Sequence, residues 1–379
     1  PGTYDITIKL LNGAANRFNG WTLQDNRKAE HLTDVLHWGD NLKLSNTSYM
    51  FYGAINLNSF PNISPNTTEE VISMSHMFYG ATKFNRSVNF NTSRVMDMSS
   101  MFVGAEAFNQ PVNFDTSQVT DMSDMFAYAK AFNQSVNFDT SKVTNMSHMF
   151  CEARFFNQPI NFDTSKVTNM NGMFQDAGNF NKPLNFDTKN VTNMRDMFAG
   201  AKAFNQDLSS LDFAAARAIE SFVSLSKLSV ENYDKLLKKW HTQFKDNPVV
   251  HKPKSDNLKY CKAATEHDYL KNTKNWTFND SKDCSEYNLA PTDITLSNTQ
   301  VNENNAPNFE LADITVTNDP NDIPNDTNTA SLTCATAGAD DASFQITGNK
   351  LILKPSADFE TKNKYNICVR ATDSFGKTK

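Results

Sequence analysis

Six copies of one 24-residue phrase, between Val71 and Ala214, limit this chain more than any other feature. The clearest copy runs Val143-Thr-Asn-Met146-Ser-His-Met149-Phe150-Cys-Glu-Ala153-Arg-Phe-Phe156-Asn157-Gln-Pro-Ile160-Asn-Phe162-Asp163-Thr-Ser-Lys166. The Met-Phe pair returns at Met77, Met101, Met125, Met149, Met173 and Met197. A period of this size implies a solenoid, in which each unit covers its apolar face only against its neighbours.

Comparing the copies separates interior from surface. Val, Met, Met-Phe, Ala, Phe-Asn, Val/Ile/Leu and Phe barely vary, and these columns form the expected core. The columns of Arg94, Gln118, Lys142, Lys166 and Asn190, and of His76, Ser100, Asp124, His148, Gly172 and Asp196, vary freely and are expected at the surface. Met146, Met149, Phe150 and Ala153 stand at i, i+3, i+4 and i+7, so the spacing predicts a short helix of about two turns with Thr144 as N-cap. The short strand falls either on Phe-Asn-Gln-x-Val-Asn-Phe or on Val-Thr-x-Met. The column Asn85, Asn109, Asn133, Asn157, Asn181 and Asn205 reads as a ladder of amides satisfying backbone groups. The column Asp115, Asp139, Asp163 and Asp187 reads as turn caps, with a row of calcium ligands as the sharper alternative.

These repeats resemble the BspA-like leucine-rich repeat surface proteins of bacteria, over roughly residues 30–285. The resemblance implies a non-catalytic extracellular protein that binds partners.

The chain has 379 residues and a net charge of −6, with a pI near 5.7. No basic field is present to attract nucleic acid or an anionic membrane. No run of 18 apolar residues offers a membrane-spanning helix in this stretch. The start at Pro1 and the abrupt stop at Lys379 suggest a piece of something longer. Cys151 occupies a variable repeat position and reads as a free thiol. The other four cysteines divide between two later regions, favouring Cys261–Cys284 and Cys334–Cys368 bridges and an oxidising compartment.

In chain order, 1–43 is expected to cap the array, with a strand at Tyr4–Leu10 and large apolar surface at Trp21, Trp38 and Leu42. The array takes 44–214, including a degraded unit at Leu44–Phe60 and an insertion, Asn62–Glu70, expected to loop out. Residues 215–288 form a helical cap, starting with an Ala-rich helix at Phe213–Leu225 and followed by one that opens at Ser229. The fold class expected is therefore an α/β leucine-rich-repeat solenoid with caps, followed by an all-β domain at 289–379.

Short alternating strands suggest that last domain is a β-sandwich. Its phrases, among them Val301-Asn-Glu303-Asn, Asp319-Pro-Asn-Asp322, Ala357-Asp358-Phe-Glu360 and Ala371-Thr-Asp373, resemble bacterial cadherin-like repeats. That resemblance implies calcium, with Glu303, Asp319, Asp322, Asp358, Glu360 and Asp373 as ligands, all oxygen donors as a hard cation requires.

The function expected is a surface adhesion module, with the solenoid binding a protein, a glycan or a second copy of itself and the last domain acting as a calcium-stiffened stalk. Two rivals are a polysaccharide-degrading or -modifying enzyme and a binder of a regular lattice such as ice or chitin. The enzyme would need paired carboxylates, and the seven histidines carry no motif. The lattice binder rests on two threonine columns, Thr116, Thr140, Thr164, Thr188 and Thr120, Thr144, Thr168, Thr192, at about 4.8 Å spacing.

Overall fold

The structure is a computed structural model that describes residues 17–18, 29–36, 38, 42–246, 254–319, 327–334, 338–374 and 376–379. The expected strand at Tyr4–Leu10, together with Trp21 and Asp322, lies outside the described residues. The chain divides into two compact units, Pro1–Lys282 and Asp283–Lys379.

In the first unit, each 24-residue phrase is one turn of a stack. Parallel bridges link Ser73, Asp97, Asp121, Asn145, Asn169, Asn193 and Ala218 in succession, so the Val-Thr-x-Met segment makes the inter-unit pairing. The unit's second Met and the Phe after it point inward. Met149, Phe150, Ala153 and Phe156 are fully buried. Phe150 lies 4.1 Å from Phe156 and 5.7 Å from both Phe126 and Phe174, ring planes within 9°. Such rows contribute dispersion contact in addition to area removed from water.

The helix expected from Thr144 to Ala153 does not form. Met146, His148, Phe150 and Glu152 donate their N–H groups to Asn169, Asn171, Met173 and Gln175 of the next unit at 2.7–3.0 Å. Met149, Cys151 and Ala153 donate to carbonyls three residues back at 3.0–3.3 Å. Alternate amides thus leave the unit, and an α-helix would keep them all. Left-handed residues at His148 (φ 54°) and Glu152 (φ 55°) break the helix and aim every second N–H along the stack. Thr144 caps nothing; its N–H and hydroxyl both donate to Thr120 O, at 2.9 and 3.3 Å.

The Ala-rich helix at Phe213–Leu225 is likewise absent. Met194, Asp196, Phe198 and Gly200 donate to Ala218, Glu220, Phe222 and Ser224 at 2.8–2.9 Å, so the ladder runs one turn beyond the expected end. The insertion after Phe60 does not simply loop out. Ile63, Thr67 and Thr68 are buried around a short helix α1 (Pro65–Thr68), and the Asn89 side chain bonds both the N–H and the carbonyl of Ile63.

At the N-terminal end, β1 (Arg17–Phe18) pairs in parallel with β2 (Lys43–Leu44). Trp38 meets Phe51 and Phe60 edge-on. At the other end, Ser229 caps α2 (Val230–Phe244) by accepting from Asn232 N. Its buried face, Tyr233, Leu236, Leu237, Trp240 and Phe244, closes the core. The parallel pair β3 (Lys254–Tyr260) and β4 (Thr277–Lys282) flanks α3 (Ala264–Asn272). The buried Asp234 carboxylate accepts the amides of Cys261, Lys262 and Ala263, ordering the approach to α3.

The second unit holds a four-stranded sheet, in the order β5 (Asp293–Leu296), β6 (Phe309–Thr317), β9 (Lys350–Leu353), β8 (Phe344–Thr347), all neighbours antiparallel. A second sheet pairs β7 (Asn328–Ser331) with β10 (Arg370–Asp373). Gly348 (φ 61°) supplies the left-handed residue in the two-residue turn between β8 and β9. The core gathers Ala312, Ile314, Phe344, Leu351, Leu353 and Ala357. Cys334 and Cys368 are bridged, and Cys261 and Cys284 are also disulfide-bonded.

Candidate functional site

Two surfaces carry the residues singled out in the sequence. The first is the bridged face of the stack. It presents two left-handed columns: Tyr49, His76, Ser100, Asp124, His148, Gly172, Asp196 and Ser221, and Gly53, Gly80, Gly104, Tyr128, Glu152, Asp176, Gly200 and Leu225. The first column varies in sequence over a fixed backbone, with His76, Asp124 and His148 half-buried and Ser100 buried. Aromatic rings dominate one end, with Tyr49 stacked on His76 at 4.5 Å and Tyr52 on Tyr79 at 4.7 Å. Carboxylates dominate further along. Burial raises the Asp124 carboxyl against the opposing pull of His148, and raises Asp176 with the help of Glu152. Tyr128 stands 47 % exposed. Cys151, free and buried among Val103 and Ala127, has its thiol pushed up to about 12 by burial and the nearby Asp176, Glu152 and Asp124. It is an inert thiol.

The polar columns elsewhere bond the stack together. Oδ1 of Asn85, Asn109, Asn133, Asn157 and Asn181 each accepts the N–H of the asparagine one unit on, at 2.9–3.0 Å. Asp115, Asp139, Asp163 and Asp187 cap their own turns, accepting from the amide two residues on at 3.0–3.2 Å. That geometry is the turn-capping alternative; among the described residues these carboxylates form no metal-binding group. Thr116, Thr140, Thr164 and Thr188 are buried and donate to carbonyls of the next unit at 2.8–3.0 Å. Thr120, Thr144, Thr168 and Thr192 donate to the preceding unit at 3.2–3.3 Å. One threonine column is thus hidden, while Thr144, Thr168 and Thr192 of the other stay exposed with their hydroxyls donating along the stack.

The second surface lies in the Asp283–Lys379 unit. Oxygens of Glu303, Asp358 and Glu360 come within 4.8 Å of one another, all three side chains exposed. Two loops are tied together to do this: Asn304 N donates to Ala357 O at 2.9 Å, and Ala357 N donates to Asn305 Oδ1 at 2.7 Å. Hydrogen bonds from Thr361 hold the Asp358 carboxyl below its ordinary range, so it is charged at neutral pH. Asp319 and Asp373 do not join this group. Asp373 is buried and accepts from Asn288 Nδ2 at 2.9 Å and Lys377 N at 2.8 Å. Three of the six expected ligands therefore converge, and the all-oxygen set fits a hard cation that draws its remaining ligands from water.

Sequence reading passed over a buried group in the C-terminal cap, built on Tyr233, Ser255, His267 and Asp280. Both His267 and Asp280 stand among polar residues in the sequence, Glu266 and Asp268 for the one and Asn279 and Ser281 for the other, so no local signal marked the group.

A stack of 24-residue turns tied by parallel bridges and by an asparagine ladder defines a repeat protein. The family described as "Mycoplasma protein of unknown function, DUF285" matches residues 45–138 and 135–240. The two matches together span more than half of the chain, which belongs to that family. No curated protein and no solved structure matches it. Among the described residues, no helix is long and apolar enough to cross a membrane.

Proposed function

We propose that this chain is a non-catalytic adhesion module of an extracellular bacterial surface protein. In this reading the array is a leucine-rich-repeat type of solenoid that binds a macromolecular partner through its bridged face. The Asp283–Lys379 unit is a cadherin-like sandwich, stiffened by calcium at Glu303, Asp358 and Glu360. The disulfides support an oxidising compartment.

The observation that carries the reading is the run Tyr128, Glu152, Asp176 on a left-handed column that Gly53, Gly80, Gly104 and Gly200 fill in other units. A side chain at such a position costs roughly 1–2 kcal/mol, and strain of this kind concentrates where function needs it. Glu152 is paired with Arg154 at 2.8 Å and Asp196 with Arg195 at 3.4 Å, so a partner of this face would bring its basic groups to Asp124 and Asp176.

The test is retention of the purified chain on intact cells, against a variant carrying Tyr128→Gly, Glu152→Gly and Asp176→Gly together. Salt-sensitive retention that the triple variant loses, with its fold intact, is the expected result. Undiminished retention would move the binding face elsewhere. Polysaccharide hydrolysis without retention would overturn the adhesion reading altogether.

A further inference from the structure

We propose that the C-terminal cap is fastened by a pH-sensitive latch, in which an imidazolium at His267 is clamped between the carboxylates of Asp280 and Asp268. The ring is 2 % exposed. Its Nε2 lies 3.1 Å from Asp280 Oδ1 and its Nδ1 lies 3.2 Å from Asp268 Oδ1. A neutral imidazole donates from one nitrogen and presents a lone pair at the other, whereas an ionised carboxylate only accepts. Two carboxylates at the two nitrogens therefore match the doubly protonated ring.

Asp280 also accepts hydrogen bonds on its other side. Its Oδ2 accepts Tyr233 Oη at 2.6 Å and Ser255 Oγ at 3.3 Å. The latch thereby joins all four elements of the cap: His267 on α3, Asp280 on β4, Tyr233 on α2 and Ser255 on β3. Tyr260 of β3 stacks on the imidazole at 4.0 Å, and Phe278 of β4 lies at 4.7 Å.

The titratable groups facing the ring are Asp268 on its own helix, Asp280, Tyr260 and, through Asp280, Tyr233. Both tyrosines stay neutral, because burial first and the neighbouring aspartates second push their hydroxyls up. Burial pulls His267 down, but the hydrogen bonds to Asp280 and Asp268 outweigh it and leave the group above its ordinary 6.5. A raised folded value contributes stability that is complete below about 6.5 and disappears as pH climbs through the folded value. The cap is therefore tightest in mild acid and loosens in alkali, leaving Asp280 buried without its cation.

Proton NMR of the full chain, with the His267 ring signal assigned by its loss in His267→Gln, tests this. The expected midpoint lies above 6.5, and Asp268→Asn should lower it, since one of the two clamping charges is gone. Asp268 is 64 % exposed, so that variant keeps the fold even where His267→Gln fails to. Melting temperatures of wild type and His267→Gln should differ at pH 5.5 and converge by pH 9. A midpoint at or below 6.5, a midpoint that Asp268→Asn leaves unmoved, or a gap independent of pH would each overturn the latch.

Discussion

Asn133 accepts the backbone N–H of Asn157 through its side-chain oxygen at 3.0 Å, and Asn157 does the same for Asn181 at 3.0 Å. The same Asn133 oxygen also receives the Gln158 side chain at 3.0 Å. Successive units are thus joined outside the bridged segment by one repeated side chain, which explains why this column does not vary.

Replacing Asn133 with Ala should leave the Asn157 amide and the Gln158 side chain without their acceptor. A loss of about 1–3 kcal/mol is expected, the usual penalty for orphaning a partly buried donor. Urea unfolding at constant slope measures it. A change below about 0.5 kcal/mol would show that water substitutes for the ladder.

The interior columns were legible because an apolar side chain repeated at period 24 has no other place to go. The helix was misread for a specific reason. Met146, Met149, Phe150 and Ala153 lie on one face in a helix, and also in a chain of tight turns closed by bonds three residues back. Only the backbone at His148 and Glu152 distinguishes the two. The glycines at 53, 80, 104 and 200, with histidine, aspartate and serine on the companion column, were the available sign of left-handed positions. The acidic residues were legible as types but not as a group. Asp373 is bonded to Asn288, a pairing 85 residues apart that local phrases do not reveal.

Gly80 offers a clean measure of the left-handed cost. Its φ is +70°, and an added Cβ would come no nearer than 3.7 Å to Gly53 Cα. Gly80→Ala should therefore lose about 1–2 kcal/mol through backbone conformation alone. The melting temperature of the variant checks this, and an unchanged value would mean the column tolerates side chains freely. In that case the run at Tyr128, Glu152 and Asp176 would carry no functional weight.

Calcium should raise the melting temperature of the Asp283–Lys379 unit, because a dication offsets the repulsion among Glu303, Asp358 and Glu360 and binds only the folded form. Glu360→Gln should remove most of that rise, followed by calorimetry with and without chelator. If chelation leaves the transition where it was, the three carboxylates are ordinary solvated charges.

The account rests on the 24-residue unit as an interchangeable turn of the stack. Deleting residues 143–166 joins Lys142 to Val167 and restores the phrase, so every column stays in register. Deleting only residues 143–154 removes half a turn and sets core columns against surface ones. Thermal unfolding followed by circular dichroism should show the full-unit deletion still folded, with one cooperative transition near that of the parent, and the half-unit deletion unfolded. Equal damage from the two deletions would contradict the stacked-turn account.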